Sequence, residues 1–93
     1  MENIDNKQNQ LVTIKDRKVL EIDGVKKLDS FDSKEFLIDT IFGYVHVLGN
    51  DLSLGLMDME KGNLTINGTI NTFSYLAKNK SDRKESFFAK LFK

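Results

Sequence analysis

The chain contains no cysteine, no proline, no tryptophan and only one histidine. Without cysteine, disulfides and thiolate metal sites are excluded, and a reducing compartment is permitted. Without proline, nothing interrupts a ladder of backbone hydrogen bonds, so an almost continuous run of strand is open to it. A lone histidine cannot build a catalytic dyad or a metal site without partners, and no motif marks any. No apolar run approaches the ~20 residues that cross a bilayer as a helix. Residues 1–9 lack the basic and apolar regions of a secretory signal. The chain is therefore expected to stay in the cytoplasm or at a membrane surface. Net charge is missing too, with 14 basic against 14 acidic side chains. That balance argues against bulk attraction to nucleic acid.

What is present reads as one small β domain. Ninety-three residues, 40% of them hydrophobic, bury about 60–65% of the unfolded surface, enough for a single core. Three times the chain writes two aliphatics one residue apart, a spacer, then glycine: Leu20-Glu-Ile22-Asp-Gly24, Val45-His-Val47-Leu-Gly49 and Leu64-Thr-Ile66-Asn-Gly68. Each is an alternating strand that meets a residue able to take positive φ. The three glycines lie 25 and then 19 residues apart, and this drift favours repeated strand–turn geometry over a regular β-helix, which holds a fixed period.

Residues 1–9 are polar and Asn/Gln-rich and read as a flexible arm; residues 10–76 read as the β domain. Strands are expected at 11–14 and 19–23, joined by a turn over 16–18, with pairing resumed at Val25 and Leu28 beyond Gly24. Residues 30–34 form a turn-rich link, because Asp and Ser compete for local backbone bonds. Residues 35–41 and, after Gly43, 44–48 are apolar on both faces, as strands covered on two sides would be. Gly49-Asn50-Asp51 is a hairpin signal, followed by alternating Leu52, Leu54 and Leu56. Residues 58–62 turn the chain into 63–67, and after Gly68 the strand 69–75 breaks strict alternation at Ile70 and Phe73, which predicts a bulge or a loss of register. The expected architecture is a single antiparallel β-sandwich or roll of six to seven short strands, with Gly24, Gly43, Gly49 and Gly68 as structural turns.

The tail changes character. Residues 77–83 are polar and basic, and residues 80–93 carry a net charge of +3, leaving −3 for the rest. Over 85–93, Phe87, Phe88, Leu91 and Phe92 share one helical face, with Lys90 and Lys93 at its C-terminal end. A short C-terminal amphipathic helix is expected. So short a helix is marginal alone and must dock on something. Three readings stay open: it completes the domain's own core, it lies in a membrane interface, or it fills a partner's groove.

No catalytic constellation emerges, and no cofactor or metal is implied. His46, between Val45 and Val47, reads as a surface or cross-strand residue. Asp58 with Glu60, and Asp29 with Asp32, read as solvated carboxylates at turns, without the spacing of a calcium loop. Gly43 and Gly49 precede no helix that could hold a phosphate. Lys26-Lys27 reads as a solvated edge, where lysine discourages strand-to-strand pairing.

In order along the chain stand Asp23-Gly-Val-Lys-Lys-Leu28, Ser30-Phe-Asp-Ser-Lys-Glu-Phe-Leu37, the segment from Gly43 to Gly49, Asp58-Met-Glu-Lys-Gly62, Ile66-Asn-Gly-Thr-Ile70, Ser74-Tyr-Leu76 and Phe87-Phe-Ala-Lys-Leu-Phe-Lys93. This series, over residues 11–93, resembles the YabP/YqfC family of sporulation proteins of endospore-forming bacteria. The ending places the chain on the YabP side of that family. The resemblance implies a non-enzymatic protein made in the mother cell, an assembly or scaffold module for the spore envelope. The alternative is a regulatory binding module that recruits a membrane or coat protein at the forespore surface. Implied partners are a second copy or an integral membrane sporulation protein, with peripheral contact at the outer forespore membrane through the tail, and no nucleic acid. The resemblance brings no catalytic or ligand-binding residues with it.

Overall fold

A computed structural model describes residues 9–76. Six strands follow one another: β1 (Val12–Lys15), β2 (Val19–Ile22), β3 (Val25–Phe31), β4 (Glu35–Thr40), β5 (Gly43–Asp58) and β6 (Asn63–Tyr75). All pair antiparallel in one sheet of order β1-β2-β6-β5-β4-β3. The expected all-β antiparallel fold is present. The expected C-terminal helix lies outside the described residues.

The strands are not all short, and here the sequence expectation needs correction. Gly49-Asn50-Asp51 does not turn the chain back; it lies inside β5, which runs 16 residues, and Gly68 lies inside the 13-residue β6. The pairing of β5 with β6 instead slips between Asn50 and Ser53, opposite Gly68. Asp51 takes a φ of 55° and Gly68 a φ of 132° at this point. Local left-handed propensity was legible, but pairing with β6 on both sides of the irregularity carries the strand through it. A bulge uses the same φ > 0 residues as a turn does.

Alternation explains the core. On one side of the irregularity, Leu20 and Ile22 of β2 pair with Ile66 and Leu64 of β6. On the other, Phe36 and Ile38 of β4 pair with Val47 and Val45 of β5. All eight belong to one buried cluster with Val25, Leu52 and Ile70. The sheet is thus folded on itself at the β5–β6 irregularity, and its two halves share one interior: a roll made from a single sheet. Each fully buried aliphatic or aromatic side chain contributes about 1.5–3 kcal/mol.

The turns follow their residues. Asp16 and Arg17 both take positive φ, and the Lys18 amide donates to the Lys15 carbonyl at 2.8 Å, the arrangement that suits the twist of a hairpin. Arg17 is an unfavourable residue there, and its side chain compensates: Nε donates to the Ile70 carbonyl at 3.0 Å and the guanidinium to Asn71 Oδ1 at 2.7 Å. Asn71 is the residue left over where β6 slips against Leu48 and Gly49, the bulge that the broken alternation predicts. Asp32 Oδ1 accepts from the amides of Lys34 and Glu35, and Asp58 Oδ1 from those of Glu60 and Lys61, so both carboxylates organise turns.

Candidate interaction surface

Among the described residues no group of three or more His, Asp or Glu side chains could hold a metal ion. The described sheet presents two edges and two outward faces.

The edges differ. β3 is guarded by two devices that natural edge strands use against pairing. It presents exposed Lys26 and Lys27, and its register with β4 slips twice, between Val25 and Lys27 and between Leu28 and Ser30. β1 has no such guard. Its four residues pair with β2 in unbroken register, its only lysine is the last residue, and exposed Leu11 (67%) and Ile14 (43%) stand by an edge that no second strand among the described residues covers.

The outward face beside β1 is open. Thr13, Glu21, Thr65 and Leu56 lie in one row across β1, β2, β6 and β5. With Leu11, Asp23, Asn63 and the core residues Ile22 and Leu64 they line a groove of about 300 Å³, of whose apolar residues Leu11 and Leu56 are the exposed ones. Asp23 holds the entering chain in place: its Oδ1 accepts the Leu11 amide and its carbonyl accepts Gln10 Nε2, both at 2.7 Å.

The corresponding row of the other half is Ser30, Leu37, His46 and Ser74, and it is sealed in the middle. Leu37 is 2% exposed and His46 0%. His46 is a cross-strand residue as expected, but not a surface one. Its Nε2 lies 3.4 Å from Glu35 Oε1. Burial pushes the imidazole pKa below its ordinary value, and the hydrogen bond and charge of Glu35 offset part of that fall.

The other predicted positions are plainly placed. Gly24 (φ 69°) sits between β2 and β3, and Gly43 (φ 115°) opens β5 after the tight turn from Thr40. Gly49 has no positive φ; it is glycine because a Cβ there would stand 1.9 Å from the Thr69 carbonyl oxygen. Phe87, Phe88, Lys90, Leu91, Phe92 and Lys93 lie outside the described residues. Sequence reasoning missed the unequal edges and the buried His46–Glu35 pair. Strand order, which no local pattern encodes, creates the first, and register across β4 and β5 creates the second.

Residues 6–82 match the YabP family. Over 82 residues the chain is 44% identical to the protein named Spore protein YabP of Bacillus subtilis (strain 168), covering 88% of this chain and 82% of that protein. This chain belongs to the YabP family. For this YabP-family chain the folded-over single sheet, one guarded edge and one open edge are thus the frame in which a role must be sought. The N-terminal boundary of the match, residue 6, lies close to the first described residues.

Proposed function

We propose that the chain is a non-enzymatic assembly module of spore formation, acting in the mother cell while the spore envelope is built, and that it associates through β1. The observation that carries this reading is the unguarded β1 edge, flanked by exposed Leu11 and Ile14. A free edge offers a row of backbone donors and acceptors. A second copy adding its own β1 antiparallel forms a closed two-fold contact, in which each chain contributes the same strand. The printed name of the Bacillus subtilis relative supplies the spore context.

Sedimentation of the full chain over a range of concentrations tests the association. Self-association that rises with concentration is expected, and a variant carrying Leu11→Lys and Ile14→Lys should remain monomeric with its melting temperature nearly unchanged. A wild-type chain that is monomeric throughout, and that instead co-purifies with one membrane protein, overturns self-assembly in favour of a recruiting module. In sporulating cells a fluorescent fusion should gather around the forespore from the mother-cell side. Signal confined to the forespore interior refutes the compartment.

A further inference from the structure

Backbone parity decides which residues of β1 can bind a neighbour. The Asp23 amide donates to the Leu11 carbonyl at 3.2 Å, and the Gly68 amide donates to the Lys18 carbonyl at 3.0 Å. Facing residues of antiparallel strands alternate between exchanging both hydrogen bonds and exchanging none. β2 therefore turns the backbone of Val19, Glu21 and Asp23 to β1 and that of Leu20 and Ile22 to β6. In the observed register Leu11, Thr13 and Lys15 direct their backbone groups to β2, whereas Val12 and Ile14 direct theirs to the open side.

Only a two-fold pairing that sets these even-numbered residues against one another closes hydrogen bonds. Centred on Thr13, it sets Val12 of each copy against Ile14 of the other, and every outward amide and carbonyl of the strand is used. A shift one way leaves Ile14 opposite Gln10, which lies outside the strand. A shift the other way leaves Val12 opposite Asp16, which the turn holds at a φ of 51°. The side chains agree with the central register. On the core side, exposed Ile14 meets Val12, which already packs against the core. On the outward side, Lys15 comes opposite Leu11 in a non-hydrogen-bonded pair, where side chains stand closest. Asp23 lies one strand further on, in the row of Leu11, and Glu21 is next along the same face. About 10 Å then separates the Lys15 backbone from that of Asp23, a span that a four-carbon stem and the carboxylate side chain cover together.

The charges fit this register as well. Glu21 and Asp23 are the titratable residues lining the groove, and both are acidic. Among the described residues neither carboxylate is in an ion pair, and exposed Lys15 is in none either. We propose that two copies pair β1 antiparallel about Thr13, so that each Lys15 lays its stem over Leu11 of the other copy and its ammonium against Glu21 and Asp23. This deepens the assembly reading and rests on it. The two sheets run on as one, and the groove of each copy receives a side chain of the other.

The absence of cysteine makes the register directly measurable in the full chain. Under mild oxidation Thr13→Cys should link two copies, because a Cα separation of about 4.5 Å in a facing non-hydrogen-bonded pair suits a disulfide. Val12→Cys and Ile14→Cys should each link poorly alone, since like positions then lie more than about 7 Å apart, and should link to each other when mixed. Lys15→Glu should weaken self-association about 10-fold in sedimentation, because each end of the contact then gathers only carboxylates. Glu21→Lys should weaken it by less. An equal mixture of these two variants should associate more tightly than either alone, because the new carboxylate of one then faces the new ammonium of the other. Association with linking at Val12→Cys or Ile14→Cys alone, in place of Thr13→Cys, refutes the register and leaves association through β1 standing. Association with no linking at any of the three positions overturns both, and so does a wild-type chain that is monomeric at every concentration. A mixture no tighter than its parents refutes the charge contact. The linking and mixing results use different substitutions, so one misfolded variant leaves the other readout intact.

Discussion

Replacing Gly68 by alanine probes the fold of the sheet directly. Gly68 holds a φ of 132°, and a Cβ built on it meets the Asp51 carbonyl oxygen at 2.5 Å and Leu52 Cα at 2.8 Å. These are backbone atoms of β5, so no side chain can rotate away. A non-glycine residue in this region of φ costs about 1–3 kcal/mol. Relieving the contact means moving the β5 backbone by roughly an ångström from a packed position, which costs about 1–3 kcal/mol more as overpacking. Together these remove about 2–6 kcal/mol from a domain whose whole stability is about 5–14 kcal/mol. Gly55→Ala is the control. Gly55 is exposed, and its Cβ would chiefly meet the Asn67 side-chain amide at 2.6 Å, a group free to swing aside. Its cost should stay within ~1 kcal/mol, partly offset by the stiffer unfolded chain. Urea unfolding followed by far-ultraviolet circular dichroism is the assay. With a slope near ~1 kcal/mol per molar urea, Gly68→Ala should lower the midpoint by about 2 M or more. Midpoints of the two variants within ~1 M of each other would refute the reasoning that the sheet is folded by close backbone approach at Gly68.

Further outcomes follow from the buried histidine and the first turn. Burial pushes the His46 pKa below its ordinary value in the folded chain, while in the unfolded chain it titrates near ~6.5. Above that pH neither state binds the proton and stability is flat. As pH falls below it, the unfolded chain gains a proton that the folded chain resists, so stability declines on acidification through the window from ~6.5 downward. His46→Gln should flatten that part of the profile in pH-dependent urea melts; an unchanged slope would show that His46 does not set it. Arg17→Ala, which loses the bonds to Ile70 and Asn71, should cost about 1–2 kcal/mol. Arg17→Gly loses the same bonds but relieves the positive φ, so it should melt higher than the alanine variant by about 1 kcal/mol. Equal melting would mean that the turn stores no strain.

Much of the β structure was legible because period-two alternation and tight turns are local signals. The expected strands overlap every observed one except β3, where only resumed pairing at Val25 and Leu28 was expected and where Ser30 and Phe31 extend the strand into the expected link; the turns at Asp16–Arg17 and Asp58–Gly62 fall where their residues suggest, and the broken alternation after Gly68 marks a real bulge. Gly49-Asn50-Asp51 misled because the residues that reverse a chain and those that kink a continuing strand are the same. Only the partner strand distinguishes them, and β6 is remote in sequence from that decision. His46 misled in another way. Alternation correctly puts it opposite the core, but burial depends on what lies above it, which periodicity does not report. The contrast between β1 and β3 as edges likewise depends on which strands are outermost, a property of the completed sheet.

Four of the five strand pairings join neighbours in sequence; the pairing of β2 with β6 does not, since residues 19–22 must meet residues 64–67. During synthesis, β3, β4 and the first half of β5 can zip together as each emerges. The β1–β2 hairpin, made first, has nowhere to attach until residue 67 has left the ribosome. The first strands made are thus the last to be seated, and the shared interior closes only when nearly all of the described chain exists.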